Sequence, residues 1–226
     1  MKILRRKRAQ FAMSVLVAGT VAMSVSTRGL AADDIPKDGL VVWLDAADAA
    51  TIEKDGAGKV SLWKDKSGKG RDARQKSPDF RPLFADDGLK GRPALQFSEK
   101  TLTRMELPDL SDKKITATIF AVVSNPDPGA EVNHHPRIFT ASDGNKYDYQ
   151  TGIALNVPDM ETGGPRQMVA TFTDRWAKRV RVGCFSPNYQ TFFTGCVSEI
   201  LVYSRTLKQE ELEQLRAYLM VKWGLE

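Results

Sequence analysis

Gly195-Cys-Val-Ser-Glu-Ile-Leu-Val-Tyr-Ser-Arg-Thr-Leu-Lys-Gln-Glu-Glu-Leu-Glu-Gln-Leu-Arg-Ala-Tyr-Leu-Met-Val-Lys-Trp-Gly224 decides the fold. Its first part is apolar on both faces and rich in β-branched residues, which is the pattern of a strand covered on both sides. A short polar turn follows, and then one amphipathic helix. Leu212, Leu215 and Leu219 recur at i, i+3 and i+7 and form a single apolar stripe. Thr206 is placed to cap Leu207, with Gln209 three residues on. Glu210, Glu211 and Glu213 suit the positive N-terminal end of the helix, and Lys222 the negative C-terminal end. Gly224 is placed to stop it.

The rest of the chain reads as strands. Leu40–Leu44, Val60–Trp63, Pro93–Phe97, Ile115–Val123, Arg137–Thr140, Thr151–Val157, Met168–Thr173 and Val180–Cys184 are short apolar or alternating runs. Gly, Pro, Asn and Asp clusters separate them. Many short strands and one terminal helix predict an all-β fold: an antiparallel two-sheet sandwich with one C-terminal α-helix.

Residues 1–31 read as a signal peptide. Lys2, Arg5, Arg6, Lys7 and Arg8 form a basic start, Phe11–Val25 is a short apolar stretch, and Gly29-Leu30-Ala31 offers small residues for cleavage. Left uncleaved, the segment would be an N-terminal membrane anchor. Six of the 33 Lys and Arg residues and none of the 28 Asp and Glu residues precede Ala32. The remainder is therefore one charge on the acidic side of neutral, and the high pI belongs to the leader. No basic run is left to suggest nucleic acid. No second apolar stretch is long enough to span a membrane. Residues 32–226 suit one β domain. The chain is expected to be exported: periplasmic, cell-surface or extracellular.

Cys184 and Cys196 are an isolated pair. In an exported chain such a pair is expected to form a disulfide; the alternative is two buried free thiols.

Several motifs resemble one family. Phe193–Leu207, then Tyr218-Leu219 and Lys222–Leu225, resemble the closing strand and helix of the laminin-G-like (concanavalin A-like) jelly rolls of secreted bacterial proteins. Gly39–Ala46, the Asp-x-Ser-Gly turn within Trp63–Ala73, and Gly91–Phe97 are similar to earlier parts of that family, in the same order. The resemblance implies a jelly-roll sandwich and a carbohydrate-binding or adhesion role, with a glycan or extracellular matrix or cell-surface component as partner. One feature departs from it. The family's long second-half hairpin is replaced by Met168–Cys184, whose turn reads Asp174-Arg-Trp176-Ala-Lys178, as though the hairpin were trimmed.

Candidate chemistry is sparse. Asp65, Ser67 and Asp72 sit on a Gly-rich turn with hard oxygen donors, and Glu199 shares an apolar face with Val197, Leu201 and Tyr203 on a two-residue period. Together they are candidate ligands for one structural Ca²⁺; the alternative is that Asp65 and Ser67 bond the turn's own backbone. A sugar offers a stacking face and a rim of hydroxyls, so an aromatic flanked by polar groups is a candidate contact. Asn145, Tyr147, Tyr149 and Trp176 have that setting, whereas Trp43, Trp63 and Trp223 read as core. His134-His135 reads as a solvated loop and Asp159-Met-Glu161 as a solvated turn. No paired-carboxylate strand, nucleophile elbow or zinc-hydrolase helix occurs, so no catalytic residue is assigned. The expected role is non-catalytic glycan binding or adhesion. The alternatives are a structural envelope module that contacts protein and a degenerate polysaccharide-active enzyme.

Overall fold

The computed structural model describes residues 35–124, 137–143, 151–156, 164–184 and 192–225. The leader, Asn145, Tyr147, Tyr149, the His134-His135 pair and Asp159–Glu161 lie outside the described residues.

Two antiparallel sheets and one helix make three layers. The strands are β1 (Leu40–Asp45), β2 (Ile52–Lys54), β3 (Val60–Trp63), β4 (Ala73–Arg74), β5 (Leu83–Leu89), β6 (Arg92–Phe97), β7 (Met105–Leu107), β8 (Ile115–Ser124), β9 (Arg137–Ser142), β10 (Ile153–Asn156), β11 (Arg166–Arg175), β12 (Lys178–Val182) and β13 (Gly195–Tyr203); the helix is α1 (Gln209–Trp223). The six-stranded sheet runs β11-β8-β13-β6-β5, with β1 also paired to β13. The seven-stranded sheet runs β10-β9-β12-β7-β4-β3-β2. The fold is the expected all-β two-sheet sandwich with a C-terminal helix.

β8 and β13 read as continuous apolar runs because both their faces are covered. Ala117, Ile119, Ala121 and Val123 of β8 face the other sheet, while Phe120 and Val122 face α1. From β13, Val197, Ile200 and Val202 join the intersheet core, and Leu201 and Tyr203 the helix layer. The expected helix stripe lies on that layer: Leu215, Tyr218, Leu219 and Trp223 are buried, and Leu212 packs partly against them. Burying each of those leucines contributes about 1.5–3 kcal/mol.

Three expectations are corrected by local geometry. Val197 does not share a face with Glu199, because the pairing of β13 with β8 slips by one residue between them. Such a bulge turns the preceding residue to the opposite side. Thr206 does not cap the helix. Lys208 is the N-cap, and the Glu211 carboxylate reaches back to accept its backbone N–H at 2.8 Å. Arg205 grips the same carboxylate with two N–H groups at 2.7 and 2.6 Å, and the helix begins at Gln209, too far along for Thr206 to cap it. That fork holds the Glu211 carboxyl down at about 2. Finally, β11 and β12 are not a trimmed hairpin. β11 is an edge strand of the six-stranded sheet and β12 lies inside the seven-stranded one, so the chain crosses between sheets at Trp176-Ala177. Gly224 terminates α1 as expected, in the left-handed conformation at φ 60°.

Candidate functional site

Glu199 is wholly buried under α1, and its partners come from β1 and α1. Asp45 of β1 is its cross-strand neighbour in the sheet. The Trp43 indole donates to its Oε1 at 2.7 Å and the Trp223 indole to its Oε2 at 2.5 Å. Lys222 Nζ lies 2.9 Å from Glu199 Oε2 and 2.9 Å from Asp45 Oδ2. Lys66 Nζ then pairs with Asp45 Oδ2 at 2.8 Å and with Asp48 Oδ2 at 2.9 Å. Charges of alternating sign thus run from the interior to the surface. Burial pushes the Glu199 carboxyl above the usual range, and the nearby Lys222 ammonium only partly offsets it. Burial lowers the Lys66 ammonium, but its bonds to Asp45 and Asp48 outweigh this and leave it raised. Burial likewise raises the Tyr218 hydroxyl beside Glu199.

The Asp65 turn is built as a self-contained hydrogen-bonded unit. Asp65 Oδ1 accepts from the backbone of Trp43 and of Ser67, each at 2.9 Å. Its Oδ2 accepts from Ser67 Oγ at 2.7 Å and from the Arg71 backbone at 3.0 Å. Asp72 accepts from the Asp65 backbone at 3.0 Å and from Arg74 at 2.7 Å. A carboxylate has about four lone-pair sites, and all four of Asp65 are occupied by donors. The expected Ca²⁺ site at Asp65, Ser67, Asp72 and Glu199 therefore does not fit. Trp43 stands between the turn and Glu199, with its backbone bonded to one and its indole to the other. Among the described residues no group of three His, Cys, Asp or Glu side chains could hold a metal ion.

The expected disulfide is also corrected: Cys184 and Cys196 are free, buried thiols. Cys184 follows β12 in a bridge to Phe192, near Arg181 and Arg104, whereas Cys196 lies on the six-stranded sheet near Ser124 and Asp87. Burial pushes Cys184 up to about 12 and Cys196 up to about 11, so neither is a ready thiolate. A thiol titration of the native protein with Ellman's reagent should read near zero, and two thiols per chain should appear on unfolding in denaturant. Two thiols that appear only after reduction would restore the disulfide.

Trp176 is set apart from the other tryptophans. Trp43, Trp63 and Trp223 are 5%, 0% and 1% exposed, in the core as expected, whereas Trp176 is half-buried. Its backbone N–H donates to Thr151 O at 2.9 Å. It bridges Gly152 in parallel, and a Cβ on Gly152 would sit 2.1 Å from the Ala141 carbonyl oxygen. Only glycine allows that approach. Asp174 and Arg179 flank the segment in left-handed backbone at φ 52° and 49°. Such non-glycine positions cost about 1–3 kcal/mol each and cluster where structure serves a function.

One further feature escaped the sequence reading. On the outer face of the seven-stranded sheet, Leu62, Arg74, Glu106, Arg181 and Thr140 are successive Cα partners across β3, β4, β7, β12 and β9. The Arg74 and Glu106 side chains are 59% and 60% exposed, whereas Arg181 is 16% exposed and Leu62 and Thr140 are buried. Arg181 Nε lies 3.6 Å from Glu106 Oε1, and the Arg104 guanidinium stacks over Phe80 at 4.0 Å. The only visible signal was the alternation Arg179-Val-Arg181-Val, which puts charge on one face of β12 and apolar side chains on the other.

No protein-family model matches the chain, and no curated protein matches it. Solved structures do. A Trypanosoma rangeli sialidase bound to the inhibitor DANA aligns with a TM-score of 0.49 and 15% identity, over 80% of this chain and 33% of the sialidase. Domain 4 of AbnA, a GH43 extracellular arabinanase from Geobacillus stearothermophilus solved with arabinotriose, aligns with a TM-score of 0.47 and 13% identity, over 78% of this chain and 98% of the domain. A GH54 α-L-arabinofuranosidase variant aligns with a TM-score of 0.47 and 11% identity, over 82% and 60% of the two chains. The chain thus spans about a third of the sialidase's length.

Proposed function

We propose that this protein is an exported, non-catalytic carbohydrate-binding or adhesion module of the laminin-G-like class. The supporting observation is the exposed Arg74 and Glu106 pair on the seven-stranded sheet. α1 packs on the outer face of the six-stranded sheet, and the outer face of the seven-stranded sheet carries the Arg74-Glu106-Arg181 row. Adjacent strands lie about 4.8 Å apart, so the exposed Arg74 and Glu106, Cα partners on β4 and β7, stand side by side. The exposed Arg74 fork and Glu106 carboxylate can pair with sugar hydroxyls, with the largely buried Arg181 holding Glu106 from the side. The buried carboxylates do not suggest chemistry: Glu199 is 0% exposed and already accepts from two indoles.

The test is affinity electrophoresis through gels containing soluble xylan, arabinan, β-glucan, pectin or alginate. Retardation in at least one gel, lost in the doubly substituted Arg74→Ala/Glu106→Ala protein, is the expected result. Unretarded migration in every gel would sink the carbohydrate reading in favour of a protein-contacting envelope module.

A further inference from the structure

We propose that β11 is a homodimer seam: two copies of the protein pair edge to edge through this strand, antiparallel and centred on Ala170, and join their six-stranded sheets into one.

β11 is an edge that the fold leaves open. A sheet edge carries a row of unpaired N–H and C=O groups, and proteins ordinarily blunt it with short strands, bulges or covering segments. The other edges here are blunted in those ways. β2 has three residues and β10 has four. β5 bulges between Ala85 and Leu89 and is bridged at Leu83 by Lys59. β1 is covered by the Asp65 turn: Asp65 Oδ1 accepts from the Trp43 backbone N–H at 2.9 Å, and the Lys66 N–H donates to Trp43 O at 2.8 Å. β11 has ten residues and pairs with β8 without a slip from Arg166 to Phe172. No strand lies on its other side among the described residues. It contains no proline, and Gln167–Thr173 carries no charge.

Its side chains suit a second copy of itself. Residues directly opposite in an antiparallel pair point to the same face. Met168, Ala170 and Phe172 pack against the intersheet core yet stay only partly buried, at the rim that the edge leaves uncovered. A two-fold axis at Ala170 sets Met168 against Phe172 of the second copy and Ala170 against its own counterpart, which closes that rim with apolar contacts. On the outer face Val169 and Thr171 are exposed, and the same axis makes them a β-branched cross-strand pair. Arg166 stands at one end of the strand, and Asp174, with its side chain 73% exposed, near the other. Antiparallel pairing brings each arginine to the second copy's aspartate, twice across the seam. A two-fold interface requires this kind of self-complementarity. One strand-to-strand seam is small for a specific interface, so the dimer is expected to dissociate at roughly 1–100 µM.

Sedimentation velocity on the intact protein should show a monomer–dimer equilibrium over that concentration range. Val169→Lys sets ammonium groups beside the axis and should weaken the dimer at least about tenfold while leaving the melting temperature unchanged, because the position is exposed. Arg166→Glu should weaken it too, and adding Asp174→Lys to that variant should restore it. Ala170→Cys reports the register. Opposed Cα atoms in antiparallel strands lie about 4.5–5.5 Å apart, within disulfide reach, so mild oxidation should link two chains. Thr173→Cys, opposite Gln167, should stay unlinked, and the native thiols are buried. A protein that is monomeric at every concentration overturns the seam; slow amide exchange along residues 166–172 in that monomer would assign the cover to another segment of the same chain. A dimer that survives both Val169→Lys and Arg166→Glu overturns it as well, because another surface then holds the copies. If Ala170→Cys fails to fold, Val169→Lys still decides.

Discussion

Glu199→Ala is expected to destabilise the protein by about 3–5 kcal/mol, read as a fall in denaturation midpoint with an unchanged slope. Two buried indole N–H groups lose their acceptor, and leaving buried donors unsatisfied costs about 1–3 kcal/mol each. Lys222 loses one of its two carboxylates. The damage should concentrate at α1, because Lys222 and Trp223 are the helix's own polar ties to the sheet. Amide exchange should therefore rise first along residues 212–223. Glu199→Gln separates charge from hydrogen bonding. Its carbonyl can accept from one indole, but its NH₂ meets the other indole donor. The wild-type carboxyl is raised by burial, so its contribution is fully present below the unfolded value near 4.5 and is lost as pH rises through the folded value. The stability gap between wild type and Glu199→Gln should accordingly narrow as pH increases. A gap that widens with pH, or a loss below 1 kcal/mol for Glu199→Ala, would show that the cluster does not hold the helix.

The same cluster marks how far the sequence could be read. The core positions of β8, β13 and α1 follow from apolar periodicity, which is local. So do the end of α1 at Gly224 and the burial of Trp43, Trp63 and Trp223. Glu199 was visible as a carboxylate out of place, but its partner Trp43 stands 156 residues earlier. No spacing rule reaches that far, and a cation was the simpler inference. The Asp65 turn shows the converse. Its oxygen-rich composition suits Ca²⁺ and equally suits backbone donors, and only the positions of four N–H and O–H groups decide between them. Some strands were silent for plain reasons. β4 has two residues and no pattern, and β5 contains Asp86-Asp87-Gly88, which reads as a turn but is absorbed by a bulge between Ala85 and Leu89. The passage from β11 to β12 looked like a hairpin because neighbours in sequence usually pair. Here each strand has better partners elsewhere: β11 pairs with β8, and β12 lies between β7 and β9.

Gly195→Ala should cost about 3 kcal/mol or more, although it adds a single methyl group. Gly195 opens β13, the strand that pairs with β8 on one side and with β6 and β1 on the other. Its φ is +149°, a backbone region that is open to glycine and costs other residues about 1–3 kcal/mol. Space is lacking as well. A Cβ there would lie 2.6 Å from the Ser124 carbonyl oxygen and 2.6 Å from Phe193 Cζ. The phenyl ring is itself buried and tilted against Phe97, so it has little room to give. The carbonyl belongs to β8 and cannot move without loosening the β8–β13 pairing, in which Ser124 faces Cys196. Gly68 is the control, because it is also left-handed at φ +79° but a Cβ there would meet nothing within 4 Å. Gly68→Ala should show backbone strain alone, about 1 kcal/mol. Thermal melts of the two variants side by side therefore separate strain from collision. If they fall by equal amounts, the collision at the head of β13 is relieved by movement, and that strand is less rigidly placed than its position between β8, β6 and β1 implies.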